Sequence, residues 1–328
     1  MDNKIDVSVT FLCYNHGPYL RKCLDSVLMQ EVNFKYEIII GDDCSTDDSR
    51  DILREYEQKF PDIIRVLYNE KNLGASGNAS NVRKHIRGKY VSGGESDDFW
   101  TDKYRLQKQY DFLEKHPEYA AVGSNFFNVD SDGNNPYIAL LRWQVNKKYG
   151  MRDYLKYGFI VHGNTTMTRK EAFPKIDSKY IKLRSVAPTM GDVIGRIILY
   201  DYGPIYCLPD IMHAHRDGSK NTSSFMAQSK NNKAVHFTRM YFQIVDALEE
   251  YFEGKYNLND LRINRIASMM FQKTFWNSKI DKNEYKIFIS ELPFGIKIKS
   301  YLRFLQKTFR SILHVCGRKL KLFYNIDD

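Results

Sequence analysis

The chain has 328 residues, 43% of them hydrophobic, and a formal net charge of +9. That content argues against disorder, and the length suggests about two domains, each able to bury a core without disulfide or metal staples. The five cysteines, Cys13, Cys23, Cys44, Cys207 and Cys316, are scattered and contain no C-x-x-C pair, which argues against a disulfide framework or zinc site and fits a reducing cytosol.

The first residues, Met1 to Asp6, are polar and lack the charged, apolar and cleavage regions of a secretory signal. No run of about 18 apolar residues occurs, so no membrane-spanning helix is predicted. Residues 7–12 (VSVTFL) are short, β-branched and aromatic, and read as a buried strand. The break at Asn15, His16, Gly17 and Pro18 leads into a helix over 19–29, with Leu20, Cys23, Leu24, Val27 and Leu28 on one face. Residues 36–40 (YEIII) form a second strand that ends in Gly41, Asp42 and Asp43. Ser45, Thr46, Asp47 and Asp48 supply a cap and an acidic first turn to a helix reaching about Lys59. A third strand over 64–68, a helix over 78–87 and a fourth strand over 90–92 continue the alternation. Strands and helices alternating over short links predict an α/β fold with a mostly parallel sheet covered on both faces.

Further along, the pattern predicts a helix over 101–119, a strand over 120–129, an exposed turn over 130–136, a helix over 192–200 and a short strand over 205–208. Beyond about residue 225 it is helical and basic. We therefore expect an α/β domain over 1–222, with halves 1–98 and 99–222, and a helical extension over 223–328.

Open sheets of this kind bind ligands beyond the carboxyl ends of their strands. Three polar clusters fall at such ends: Tyr14 with Asn15, Asp42 with Asp43, and the run Glu95, Ser96, Asp97, Asp98. The last places three carboxylates within four residues, between Gly93–Gly94 and Phe99–Trp100. Unpaired, they repel one another, and a hard divalent cation, Mg2+ or Mn2+, would relieve that repulsion. The plain alternative is a solvated acidic turn that caps the following helix. Asp42 and Asp43 could accept hydrogen bonds from a nucleobase or ribose, or could merely cap a helix.

Four segments in order, residues 9–15 (VTFLCYN), 39–47 (IIGDDCSTD), 72–74 (NLG) and 95–100 (ESDDFW), resemble glycosyltransferase family 2. The resemblance covers roughly residues 5–220 and implies the GT-A fold and an inverting sugar transfer from a nucleotide-diphosphate donor, a UDP-sugar. In those terms 1–98 is the nucleotide-binding half and 99–222 the acceptor half. Asp97 corresponds to the last acid of the family's Asp-x-Asp metal motif, with Glu95 at its first position and Asp98 beside it. Tyr14, Asn15, Asp42, Asp43, Ser96, Asn78 and Asn81 are assigned to the nucleotide. Cys44 stands where relatives carry Gly. Asp192 matches the family's catalytic base. Residues 212–219 (MHAHRDGS) resemble a loop that closes over the diphosphate, so Arg216 would meet phosphate and His213 or His215 the metal.

Two rivals are weighed. A nucleotidyltransferase should carry a Gly-rich, basic phosphate loop after the first strand, which Asn15 to Pro18 do not supply. A non-catalytic nucleotide-sugar-binding scaffold should lack the base or the acids, and both are present. The charge adds a further expectation. Residues 1–219 hold 30 basic and 30 acidic residues, so the whole +9 lies in 220–328. No nucleic-acid module is seen there. Within 293–323, Ile298, Leu302, Leu305, Phe309, Ile312 and Cys316 share one helical face, and Lys299, Arg303, Lys307 and Arg310 form a basic stripe beside it. That pattern predicts peripheral contact with an anionic membrane, as a transferase working on a lipid-linked saccharide acceptor at the cytoplasmic face would need. The alternatives are packing on the catalytic domain or homodimer formation through these helices.

Overall fold

The computed structural model describes residues 4–158, 160–186, 190–216, 234–275 and 280–319. Strand–helix units open the chain: β1 (Val7–Cys13), α1 (Gly17–Leu28), β2 (Tyr36–Asp42), α2 (Ser49–Lys59), β3 (Ile64–Tyr68), α3 (Gly74–Arg83) and then β4 (Tyr90–Glu95). Strand β1 pairs in parallel with both β2 and β4, Val9 lying opposite Ile38 on one side and Ser92 on the other. Strand β2 pairs in parallel with β3. Strand β2 is covered on both faces, which is why Ile38 to Ile40 read as a continuous apolar run. Ile38 and Ile40 enter a core with Leu20, Leu24, Leu53 and Leu106, whereas Ile39 packs on the opposite face with Val82, Ile86 and Val91. Each fully buried aliphatic side chain contributes about 1.5–3 kcal/mol.

Helix α1 buries Leu20, Cys23, Leu24 and Val27, the face expected from its spacing. Helix α3 begins at Gly74, four residues before the pattern suggests, because Asp43 Oδ1 accepts the Leu73 N–H at 2.7 Å and anchors its start. It also lies close to β2. A Cβ on Gly41 would stand 2.2 Å from Asn78 Oδ1.

The chain continues through β5 (Phe99–Trp100), α4 (Arg105–Lys115), β6 (Ala121–Val129), β7 (Tyr137–Ile138), β8 (Lys147–Tyr149), α5 (Met151–Tyr157), β9 (Met167–Arg169), α6 (Ser178–Val186), α7 (Gly191–Tyr202) and β10 (Ile205–Arg216). The described strands form one sheet in the order β3-β2-β1-β4-β9-β6-β10-β5, with β7 on β6 and β8 on β10. Strand β9 runs antiparallel to both β4 and β6, and β10 runs parallel to β6. The strand expected over 205–208 therefore extends to Arg216, and His213, His215 and Arg216 stand on a strand rather than in a loop. Pro209 and Asp210 interrupt the local pattern, and two register shifts on either side of Ile211 absorb them.

The chain forms two compact units that interleave along the sequence instead of dividing once near residue 222. Among the described residues, the sheet unit holds 4–151, 160–174 and 195–216, and the helical unit holds 152–158, 175–186, 190–194, 234–275 and 280–319. The helical unit contains α8 (Ala234–Tyr251), α9 (Asn259–Phe275), α10 (Lys282–Glu291) and α11 (Phe294–Lys319). Its core joins Val235, Ile266, Met269, Phe288 and Leu292. Helix α6 belongs to it through Lys182–Glu250 and Lys179–Glu253 ion pairs to α8 and the turn after it. Asp281 caps α10 by accepting the N–H groups of Asn283 and Glu284. Two residues of the expected basic stripe have partners within the unit: Arg303 pairs with Asp260, and Lys307, though exposed, donates to Ser268 Oγ. No helix among the described residues is long and apolar enough to cross a membrane.

Candidate active site

The turn after β4 forms a buried floor. Gly93, at φ +146°, lets β4 press on β1, for a Cβ there would lie 1.9 Å from Thr10 O. Glu95 is exposed, but Ser96, Asp97 and Asp98 are buried, so the run is not a solvated turn. Ser96 Oγ donates to Leu12 O at 2.9 Å and lies 2.8 Å from His16 Nδ1. Its single proton being used, Ser96 accepts from His16 Nδ1–H. The chain then returns as β5 beside β10, with His213 opposite Trp100 and Ala214 opposite Phe99, which brings β10 onto Asp98.

Asp98 is saturated. Its Oδ2 accepts from His213 Nε2 (3.0 Å), His215 Nδ1 (3.2 Å) and Asn164 Nδ2 (2.9 Å), and its Oδ1 accepts the Arg216 N–H (2.9 Å). Burial would raise its pKa, but the histidine hydrogen bonds outweigh that and hold it well below the usual carboxylate range. Asp97 is the opposite case. Its Oδ1 is buried with no hydrogen-bond partner, and burial together with the Asp98 charge pushes its pKa up.

The ligand atoms of Asp98, His213 and His215 all fall within 4.8 Å of one another, the spacing of a metal cluster. Arg105 separates their parts. It is fully buried, donates Nη2–H to Asn164 O at 2.7 Å, and places Nη1 3.3 Å from His213 Nδ1. Its guanidinium lies 4.0 Å from the Trp100 ring centroid, and burial lowers its pKa to about 9. Arginine has no acceptor, so His213 Nδ1 receives that bond and Nε2 carries the proton given to Asp98. Burial lowers the His213 pKa as well, consistent with a neutral imidazole that donates. With both nitrogens engaged, His213 orients Asp98 instead of offering a lone pair. His215 differs. Burial lowers its pKa, but the Asp98 hydrogen bond and the charges of Asp98, Glu95 and Asp97 reverse this to a net rise. Donating Nδ1–H to Asp98 leaves its Nε2 for a ligand. Asp97, through the unpartnered Oδ1, and His215, through Nε2, each keep an atom of the type a divalent cation takes. The His162 ring lies 4.8 Å from that of His215, tilted by 40°, and its pKa is driven to about 3, chiefly by burial, so it adds no positive charge.

Arg216, expected to meet phosphate, donates Nε–H to Asp97 O at 2.6 Å and Nη1–H to Ser131 O at 3.3 Å, with Tyr19 and Phe99 rings about its guanidinium. It fixes the Asp97 backbone.

A second polar cluster lies at the end of β2. Asp42 accepts from Arg50 Nε at 2.6 Å, and Arg50 also donates to Asn69 O at 2.7 Å. Asp43 Oδ1 accepts from Asn69 Nδ2 (3.1 Å) and the Leu73 N–H (2.7 Å). Asn78 donates to Gly41 O at 2.7 Å and accepts from Asn69, and Asn81 donates to Asn69 Oδ1 at 2.9 Å. Asn78 and Asn81 therefore pin α3 to β2 and its loop. A cleft of about 540 Å³ opens alongside, lined by Tyr68, Asn69, Glu70, Lys71 and Leu73. At the β1 turn Asn15, at φ +56°, accepts the Thr46 N–H at 2.8 Å, next to half-buried Tyr14. Cys44 adopts φ +63°, the left-handed region that favours Gly. Asp192 is the second residue of α7, and its side chain lies outside the described residues.

Sequence reasoning missed His16, Arg50, Asn69, Arg105, His162 and Asn164. Only the polar run from His162 to Thr166 carried a local signal, a cluster of turn-type residues in an otherwise apolar stretch.

A mixed sheet whose first four strands pair in parallel, with a buried acidic turn after the fourth, matches the GT-A glycosyltransferase fold. The chain matches S. aureus TarS 1–349 in complex with UDP-GlcNAc with a TM-score of 0.59 at 16% identity, covering 94% of this chain and 92% of that one. Within that class, Glycosyl transferase family 2 matches residues 8–177, and the chain belongs to that family. It is 42% identical over 133 residues to the putative teichuronic acid biosynthesis glycosyltransferase TuaG of Bacillus subtilis, covering 40% of this chain and 52% of that one. It is 38% identical over 112 residues to an uncharacterized protein of Mycobacterium tuberculosis, covering 34% and 32%. The match spans about a third to a half of the length of these curated relatives.

Proposed function

We propose that the chain is an inverting glycosyltransferase that moves a sugar from a nucleotide-diphosphate donor, a UDP-sugar, to a hydroxyl of a saccharide acceptor. The observation that carries this reading is Asp97: a buried carboxylate oxygen without a partner, beside a second acid that is fully hydrogen-bonded, at the carboxyl end of a parallel strand. A cation against that oxygen would offset the cost of burying it unpaired. Asp97 and His215 would hold Mn2+ or Mg2+, with Glu95 at the exposed rim, and the ion would supply charge neutralisation on the leaving diphosphate. Asp43 and the Tyr14–Asn15 turn would bind the nucleoside beside the cleft at Asn69. Asp192 would take the proton from the acceptor hydroxyl as that oxygen attacks the anomeric carbon. The TuaG name supports an acceptor in bacterial surface polysaccharide synthesis, and we assign a lipid-linked saccharide at the cytoplasmic face.

The test is a panel of nucleotide sugars, UDP-sugars first, scored for thermal protection and for transfer to saccharide acceptors, with Mn2+ and then EDTA. Asp192→Asn should lower turnover by roughly 10²–10⁴-fold while nucleotide affinity stays. Unchanged turnover in that variant would place the base elsewhere. Nucleotide binding without transfer from any donor would leave a binding protein.

A further inference from the structure

Helix α11 presents an apolar face that nothing among the described residues of the helical unit covers. Phe294 is 77% exposed and Phe309 62%, with Ile298, Tyr301, Leu302 and Leu305 between them at 45–55%. At 3.6 residues per turn these six positions fall within an arc of about 100°. The other side of the helix is the docked one. Ser300 is buried, Arg303 pairs with Asp260, Lys307 donates to Ser268, and Phe304 stacks near Phe275 of α9. The apolar arc therefore points away from its own unit. Six large side chains held in water along four turns are unusual on a soluble surface and mark a contact site.

From this we infer that α11 is a membrane-contact element, lying in the plane of an anionic lipid surface with Phe294, Ile298, Tyr301, Leu302, Leu305 and Phe309 in the acyl boundary. Charge selects the occupant. Residues 294–319 hold seven Lys and Arg and no acid, and the chain's entire net charge lies in 220–328. A second copy docked on the same face across a two-fold axis would set two such helices side by side, like charge against like. An anionic bilayer complements them. Lys299 is exposed on the flank of the arc, where an ammonium reaches headgroups while the apolar side chains enter. Of the residues the sequence pattern added to this face, Ile312 and Cys316 have side chains outside the described residues, as has Arg310 of the basic stripe. The apolar arc is read from 294–309 and the charge from the sequence, and neither depends on the reaction proposed above.

Because α11 also packs on α9, the test uses substitutions in the full chain and no truncation. Co-sedimentation at low ionic strength is measured with vesicles of phosphatidylcholine mixed equally with phosphatidylglycerol, and with phosphatidylcholine alone. The wild-type chain should pellet with the mixed vesicles and stay in the supernatant with the neutral ones. The double variant Leu302→Glu/Leu305→Glu alters two exposed positions and should bind the mixed vesicles at least about tenfold more weakly. If that variant fails to fold, Phe309→Ser and Lys299→Glu, each checked by thermal melting, should each weaken binding measurably. Equal pelleting of wild type and variants overturns the inference, as does wild-type protein that ignores both vesicle types or binds both equally. A wild-type dimer that the double variant converts to monomer, without vesicle binding, assigns the face to a second copy instead.

Discussion

Two aspartate pairs close two strands of the same sheet, on either side of β1, and in the sequence they look alike. Asp42 and Asp43 end β2 in a network where Arg50, Asn69 and the Leu73 amide meet the carboxylates. Asp97 and Asp98 follow β4, and there the demand is divided unevenly: Asp98 takes four donors and Asp97 Oδ1 takes none. The first pair supports the fold around a binding cleft. The second holds one acid rigid so that its neighbour keeps an unmet charge. A buried polar group without a partner costs free energy, and it persists where a ligand completes it. The contrast shows that a pair of acids points to cation chemistry only after its partners have been counted.

Four substitutions test that contrast, beginning with the largest expected effect. Asp98→Ala strands the donors of His213, Asn164 and Arg216 in the interior and should lower unfolding free energy by about 3–5 kcal/mol, read from chemical denaturation. A loss no greater than that of a surface Asp→Ala would mean the four bonds are not made. Asp97→Asn should do the reverse. It removes a buried like charge, so the melting temperature should hold or rise, while metal-dependent turnover falls on the order of 10²–10³-fold. Retained turnover would move the cation off Asp97. Arg50→Ala leaves Asp42 without its ion-pair partner and should cost about 1.5–3 kcal/mol by denaturant titration. Its effect on transfer should be smaller than that of Asp97→Asn, and a larger effect would place the Asp42 network in the chemistry. Cys44→Gly relieves a left-handed backbone position, offset in part by the entropy of the unfolded glycine, for a net gain of about 0.5 kcal/mol. A small rise in melting temperature would show it, and a fall would mean that the contact of Cys44 Sγ with Glu70 O outweighs the backbone term.

Much of this was legible locally. Strand β2 announces itself because a parallel strand covered on both faces is apolar at consecutive positions, here Ile38, Ile39 and Ile40, not at every second one. Helix α1 shows its buried face through spacing alone. The acids stood out because carboxylates at the end of an apolar run have no local reason to be there. Strand β10 was cut short because Pro209 and Asp210 break its pattern, and only pairing with β6 carries it through to Arg216. Helix α3 was placed late because its start is held by a hydrogen bond to Asp43, thirty residues away.

The same line divides the site. Residue type and spacing alone established the α/β class, the open sheet, the polar clusters at the strand ends and the concentration of charge in the last third. Tertiary structure decided which acid is spare. That depended on Arg105, 108 residues from the His213 it orients, and on Asn164 and β10 arriving at Asp98 from the far side of the sheet. Hydrogen-bond satisfaction is a property of neighbours in space, so no local pattern carries it. The orientation of α11 was settled in the same way. Periodicity shows that an apolar face exists, but only the packing of its other side against α9 shows that this face is left to meet something else.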